Sequence, residues 1–471
     1  MLFHTWTFVL FFLVFYPVYL GLKNTRLRIP WLLVASYVFY GWWNPLYLVL
    51  ILWSTSVDYL AVVAMAKSRR APTGHRREAL VGWSRPWLAM SLVNNLGLLG
   101  FFKYGGFVTE NVNALLASLN VPYELPASGF LLPVGISFYV FQSMSYTIDY
   151  YRGNVEREPS FIRYATFVSL FPQLVAGPIE RARNLLPQLH EPPKITRDDV
   201  ADGLSLFVVG LFKKVALADY LALYVDPVYA APGEHAAPAL MLATFAFAWQ
   251  IYFDFSGYTD MARGIGRMMG IRLMLNFNNP YLATGLGDFW KRWHISLSTW
   301  FRDYVYIPLG GNRKGEVRTY VNICLTMLIS GLWHGAAWTF VIWGALHAAG
   351  YALTRALESS PFYRERVPTL VKQGATFLFV TFAWIFFRAA SFGDAWLIVR
   401  RIFRFGWADP ACPILMVALI LAVWLYQFVY ESKAQWILSP APVRIAAVVA
   451  MLVYVSLFAA STGQPFIYFQ F

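Results

Sequence analysis

The sequence predicts an all-α polytopic membrane protein, and three observations carry that expectation. Of its 471 residues, 58% are hydrophobic and only 13% are charged, and the mean hydropathy is +0.49; soluble domains carry about 25% charged residues. The length leaves room for about three soluble domains, yet no long polar stretch is present that could fold alone in water. Lysine and arginine also gather in short stretches between apolar runs, the pattern of cytoplasmic loops. One membrane domain over residues 1–471 is therefore expected.

The elements follow in order. Leu2–Leu22 is apolar with its positive charge behind it (Lys23, Arg26, Arg28), the reverse of a secretory signal, so it is expected to be a retained span with its N-terminus outside. Trp31–Trp42 turns at Asn44-Pro45, and Leu46–Ala66 returns to a loop from Lys67 to Arg85 with six Lys/Arg and one Glu, which lies inside. Pro86–Tyr104 crosses out to a loop over Gly105–Ser128, and Gly129–Asp149 crosses back to Arg152, Arg157 and Arg163. Phe161–Ile179 contains Phe171-Pro172 and Gly177-Pro178, helix breakers that make it re-entrant. Leu204–Leu223 and Leu240–Phe255 are the next pair of spans, and Asp260–Arg318 is basic and irregular at the cytoplasmic side. Two spans bracket His334, and Phe377–Phe387, Ile414–Tyr430 and Ile445–Phe458 bring the total to about eleven, with re-entrant and interfacial helices besides. Arg400, Arg401 and Arg404 fall on the wrong side of this count, which an interfacial amphipathic helix would explain.

Within Val317–Tyr351, an apolar stretch charged only at Arg318, stands Trp333-His334-Gly335. An ionisable imidazole at membrane depth is costly without partners or a task, so it is a functional-site hypothesis; a structural histidine with one interhelical hydrogen bond is the plainer alternative. A second histidine, His294, sits in Asp288-Phe-Trp-Lys-Arg-Trp-His-Ile-Ser-Leu-Ser-Thr-Trp-Phe-Arg-Asp303. His347 lies thirteen residues beyond His334 on a different helix face, which excludes a metal pair and favours a packed, hydrogen-bonded residue. Gly331-Leu-Trp-His-Gly335 is a GxxxG that predicts two backbones in close approach.

Net charge is +13. No nucleic-acid signal accompanies it, and anionic membrane lipid is the expected partner of most basic loops. The cluster Lys291, Arg292, Arg302, Arg313, Lys314 is different, because tryptophans and Gly310-Gly311 are mixed into it. That mixture suits a phosphate-bearing ligand, with interfacial anchoring as the alternative. Gly264-Ile-Gly266-Arg-Met-Met-Gly270 has the wrong spacing for a nucleotide loop. Asp58, Asp149, Asp254 and Asp260 are expected to make interhelical hydrogen bonds. Two cysteines, Cys324 and Cys412, are too few for a disulfide framework or a zinc site, and no motif asks for a metal.

Four motifs in order resemble the membrane-bound O-acyltransferase family: Gln250-Ile-Tyr-Phe-Asp-Phe-Ser-Gly-Tyr-Thr-Asp-Met-Ala262, the stretch from Asp288 to Trp300, Leu309-Gly-Gly-Asn-Arg313, and Gly331-Leu-Trp-His-Gly-Ala-Ala-Trp338. Leu132–Phe138, Ala176–Ile179 and the terminal Pro465-Phe-Ile-Tyr-Phe-Gln-Phe471 agree. Within the family, the chain looks like the bacterial branch that O-acetylates polysaccharides such as alginate. The resemblance implies a ring of helices around a central tunnel, with peripheral N-terminal helices over about 1–128, a catalytic core over about 129–355 and C-terminal helices over about 356–471. It also implies that His334 is catalytic, with His294 a second active-site residue. Further implications are a multi-pass location in the bacterial inner membrane with both termini periplasmic, a periplasmic acetyltransferase partner and an exopolysaccharide acceptor.

The mechanism expected on this basis moves acetyl from a cytoplasmic thioester, acetyl-CoA, as donor substrate; no permanently bound cofactor is expected. The donor's phosphates would stay at Lys291, Arg292, Arg302, Arg313 and Lys314 while its pantetheine arm enters a tunnel lined by Trp333, Trp338, Trp293 and Ser298. His334 would be a neutral general base, since desolvation disfavours a charged imidazole. His294 would donate to the thioester carbonyl or orient His334. Acyl or D-alanyl transfer from a carrier protein to a cell-wall polymer, and a non-enzymatic proton-coupled transporter, are the alternatives.

Overall fold

A computed structural model of the protein describes residues 1–69, 77–126, 132–404, 406–458, 466 and 467. Arg70 and Arg76 of the expected basic loop, and the C-terminal motif apart from Phe466 and Ile467, lie outside the described residues. Among these residues every regular element is helical, as the composition predicts. Five helices are long and apolar enough to cross a membrane: Tyr47–Ser68, Ala237–Met268, Thr369–Arg388, Ile414–Glu431 and Ala441–Phe458. About 20 apolar residues bridge a hydrocarbon layer about 30 Å thick, so the chain is a multi-pass membrane protein. The other expected crossings fall on helices that are shorter, interrupted or more polar. The chain resolves into two compact units, residues 1–204 with 262–274, and residues 205–261 with 275–471.

In the first unit α1 (Trp6–Leu22), α2 (Arg28–Gly41), α3 (Tyr47–Arg69) and α4 (Arg77–Leu99) follow one another closely. Phe15 and Phe39 meet Phe171 at 5.0 and 5.4 Å between ring centroids, an aromatic centre for α1, α2 and the segment around Phe171. The expected loop after Tyr104 is instead helical. A π-turn over Gly100–Tyr104 leads without a break into α5 (Gly105–Ser118), because glycine costs a helix only about 1 kcal/mol and does not by itself stop one.

Next come α6 (Ile136–Arg152), α7 (Phe161–Ser169), α8 (Phe171–Leu174) and α9 (Ala182–His190). α7 rises only about 14 Å before the chain breaks at Leu170, so Phe161–Ile179 is broken as its prolines predict. Asp58 of α3 is buried and accepts from Ser91 (2.6 Å) and Asn95 (2.8 Å) of α4 and from Ser143 of α6, whose hydroxyl lies 2.9 Å from Tyr164 of α7. This is the interhelical bonding expected of that acid, and it joins four helices. Arg28 of α2 donates to the carbonyls of Leu189 (2.6 Å) and Glu191 (2.5 Å), which a helix C-terminus leaves without partners.

The unit boundary falls inside α10 (Arg197–Leu211) and again inside α12 (Ala237–Met268). In the second unit, a π-turn over Phe212–Ala218 joins α10 to α11 (Asp219–Ala230). Lys214 on that turn is buried between Asp219 (2.8 Å) and Asp254 of α12 (2.7 Å), and Lys213 pairs with Asp260 at 2.7 Å. Asp254 and Asp260 therefore carry ion pairs as well as the expected hydrogen bonding. A Cβ on Gly257 would lie 2.7 Å from the Gly210 carbonyl, so α10 and α12 touch backbone to backbone there.

The chain then runs through two short helices, α13 (Leu286–Arg292) and α14 (Ile295–Phe301), into a π-turn over Arg302–Tyr306. The irregular basic region is as expected, although α12 itself extends to Met268. α15 (Glu316–His334) and α16 (Trp338–Ser359) form the two-helix hairpin around His334. A Cβ on Gly331 would sit 2.2 Å from the Phe340 carbonyl oxygen, and one on Gly344 would sit 2.5 Å from that of Met327. The close approach predicted from the glycine spacing is thus between α15 and α16. After α17 (Pro361–Glu365) come α18 (Thr369–Arg388), α19 (Phe392–Ile402), α20 (Ile414–Glu431) and α21 (Ala441–Phe458). α19 buries Ala395, Ile398 and Val399 and leaves Arg400 exposed, an amphipathic pattern.

Two outcomes follow from this packing. Lys214→Met strands two carboxylates in the interior and is expected to cost about 3–5 kcal/mol, read as early aggregation when detergent-solubilised protein is heated; wild-type heat stability would show that the triad is not a brace. Gly331→Ala forces α15 from α16 and is expected to cost about 1–3 kcal/mol. An alanine variant that melts with the wild type would mean the hairpin does not depend on that contact.

Candidate active site

His294 and His334 both belong to the second unit, and both are buried, 0% and 4% exposed. One side chain touches both: the Trp333 ring lies 6.1 Å from the His294 ring and 5.0 Å from the His334 ring. The two sequence-predicted residues are thus brought to one place.

His334 is the last residue of α15, where Gly335 takes extended backbone and ends the helix. A Cβ on Gly335 would overlap the Phe340 ring, so only glycine lets the hairpin close there. The imidazole then packs edge-on against Trp343 of α16 (5.1 Å) and Phe387 of α18 (5.2 Å). Trp343 in turn lies 4.6 Å from His347, one turn further along α16. His347 is packed as expected, but neither of its ring nitrogens makes a hydrogen bond with the described residues. Aromatic rings on α13, α16 and α18 surround it instead of a polar partner, Trp290 among them at 5.1 Å.

His294 occupies the junction between α13 and α14 with φ 40° and ψ 55°, left-handed backbone that side chains other than glycine rarely adopt. Phe255 of α12 meets its ring edge-on at 4.6 Å, and Phe277 lies nearly parallel at 6.5 Å. Backbone bonds fix the junction: Asn278 N–H donates to Arg292 O (2.9 Å) and Ile295 N–H donates to Asn276 O (2.9 Å).

The other expected site residues divide. Trp293 is 1% exposed and packs against Trp384 (5.1 Å) and Phe277 (5.0 Å), so it belongs to the same aromatic interior as Trp333. Trp338 opens α16 with 58% of its surface exposed, unlike the buried Trp333 on α15. Ser298 turns its hydroxyl back to the Trp293 carbonyl at 3.0 Å. Arg292 is not a free phosphate ligand: it bonds Asp288 (3.0 Å) and Glu431 (2.7 Å). Partial burial pulls its pKa down, but the hydrogen bond and charge of Asp288, with Glu431, outweigh this and the net shift is upward. Arg302 pairs with Asp303 at 2.8 Å but stays exposed. Lys291, Arg313 and Lys314 are exposed and form no ion pair with the described residues. Among the described residues no group of three or more His, Cys, Asp or Glu side chains could hold a metal.

Sequence reasoning missed Phe255, Phe277, Trp343, Trp384, Phe387 and Asn276. Phe255 lies within one of the motifs and the other five lie outside them, and nothing in a linear pattern says which aromatic faces which histidine. Chemically, the site offers two imidazoles that share one indole wall inside a water-poor aromatic interior. That is a setting for proton transfer and for a reactive acyl group that water would otherwise consume.

The model of the membrane-bound O-acyltransferase family matches residues 152–393, which include both histidines. The probable alginate O-acetylase AlgI of Pseudomonas aeruginosa is 43% identical over 402 residues, 84% of this chain and 74% of that protein. The peptidoglycan O-acetyltransferase of Helicobacter pylori is 36% identical over 405 residues, 80% of this chain and 74% of that protein. The teichoic acid D-alanyltransferase of Bacillus subtilis is 27% identical over 264 residues, 52% of this chain and 66% of that protein. With a family model spanning the histidine-bearing helices and such identity over most of its length, the chain belongs to the membrane-bound O-acyltransferase family and is a multi-pass membrane O-acyltransferase.

Proposed function

We propose that this enzyme takes acetyl from a cytoplasmic thioester, acetyl-CoA, and delivers it across the bacterial inner membrane for O-acetylation of an exopolysaccharide such as alginate. A periplasmic acetyltransferase subunit is its partner, and both termini face the periplasm. The observation that carries this reading is the Trp333 ring in contact with both His294 and His334. The relatives named as an alginate O-acetylase and a peptidoglycan O-acetyltransferase support acetyl as the group and a polymer as the acceptor. Identity to the D-alanyltransferase is lower and covers less of the chain, which favours acetyl over D-alanyl transfer from a carrier.

His334 takes the proton of an acceptor hydroxyl as that oxygen attacks the thioester carbonyl. The carbon–sulfur bond breaks, and the departing thiolate regains the proton from the His334 imidazolium, so the histidine ends as it began. His294 donates to the carbonyl oxygen on which charge develops or orients His334. The donor cannot cross about 30 Å of hydrocarbon with its phosphates. They stay with Lys291, Arg302, Arg313 and Lys314 while the slim pantetheine arm reaches inward. Arg292, already paired twice, braces the α13 end instead.

His334→Ala is expected to insert normally yet lower polymer O-acetylation by at least about 10²-fold, the scale of general-base catalysis; substantial residual ester on the polymer would remove His334 from the chemistry. Replacing Arg313 and Lys314 together by alanine is expected to raise the KM for labelled acetyl-CoA about tenfold with kcat retained, roughly 1.4 kcal/mol of lost donor binding. An unchanged KM in proteoliposomes would place the phosphates elsewhere.

A further inference from the structure

We propose that Asn276 is the positioning residue that sets His294 for the reaction. The proposal rests on the reading of His294 as a member of the reaction centre. Asn276 is 0% exposed, and it takes both of the amides that follow the histidine. Its main-chain carbonyl accepts from Ile295 N–H at 2.9 Å, and its side-chain Oδ1 accepts from Ser296 N–H at 3.3 Å. Between Arg292 and these two amides the backbone has one unusual residue, His294 itself, at φ 40°. A left-handed turn at a residue with a side chain persists only where its surroundings over-determine it. Here the clamp comes from one side: Asn276 holds the two amides after the turn, and Asn278 N–H holds the Arg292 carbonyl before it at 2.9 Å.

The same segment supplies the second constraint. Phe277 lies 6.5 Å from the imidazole at 19° between planes, while Phe255 meets both rings edge-on. The segment from Asn276 to Asn278 therefore fixes the backbone under His294 and flanks its ring. Asn279 extends the brace by donating to Glu431 (3.1 Å), which also binds Arg292 (2.7 Å).

The side chain of Asn276 acts through its oxygen. Its Nδ2 makes no hydrogen bond with the described residues, so exchanging that nitrogen for oxygen removes no bond the fold uses. Aspartate keeps the acceptor at the same reach, whereas leucine fills the space without one.

The test is a double-mutant cycle on the full-length protein in lipid, following initial rates of acyl transfer from labelled acetyl-CoA. Asn276→Leu is expected to lower kcat about 10- to 100-fold, as small misplacements of a reacting group do, with donor KM within about twofold. Added to His294→Ala, it is expected to cost nothing more, because its effect passes through His294. Asn276→Asp is expected to keep kcat within about threefold of wild type. Losses that multiply in the double variant, a change in KM instead of kcat, or an aspartate variant as slow as the leucine one would each overturn the proposal. If leucine does not insert, Asn276→Ala takes its place in the cycle. A His294→Ala protein with wild-type kcat would instead overturn the role of His294 itself, an outcome distinct from failure of the clamp alone.

Discussion

Inside a bilayer no water is at hand, so each polar group in the interior must find its partner within the chain. That constraint shapes most of this molecule. Asp58 gathers hydroxyls and an amide from two neighbouring helices, Arg28 covers two helix-end carbonyls, and Lys214 lies between two aspartates. Each pairing fixes helices that apolar contact alone would leave free to slide, because lipid tails are as apolar as leucine. The triad at Lys214 has a direct effect on the site. It pins Asp254, and the next residue of α12, Phe255, is the ring that meets His294 edge-on.

A different economy governs the histidines. His334 is set by sterics, since the glycines at 331, 335 and 344 let α15 and α16 approach until backbone touches backbone or ring. His294 is set by hydrogen bonds in an irregular stretch with no long helix to carry it. The two routes meet at Trp333, and around them the walls are almost wholly aromatic. Large flat rings fill space with few rotamers, and this suits an interior that must keep water from a reactive acyl group while leaving imidazole nitrogens in place.

Much of this was legible in the sequence. Composition predicted the helical membrane class, the prolines at 172 and 178 predicted the broken segment, and the glycine spacing predicted the tight hairpin. The isolated imidazoles at 294 and 334 stood out, and the fold brings both against Trp333. What was not legible is which partner each group chooses. Arg292 reads as one of a basic cluster, yet an acid far along the chain, Glu431, occupies it. Trp338 shares a motif with Trp333 but starts the next helix and is more than half exposed, whereas Trp333 is buried. The helix through Gly105 carries no periodic break, and the reading of a loop there rested on charge alone. His347 lies on another face from His334 when both are counted along one helix, but past the hairpin turn Trp343 meets both rings.

The backbone at His294 has one more consequence. Left-handed geometry costs an ordinary residue about 1–2 kcal/mol that glycine would not incur, so the fold alone would be better served by having no side chain there. The chain keeps an imidazole at a point where folding disfavours it, and the neighbourhood compensates. On the role proposed for His294, stability and chemistry pull in opposite directions at this residue, so that a more robust protein and a working one would be different sequences.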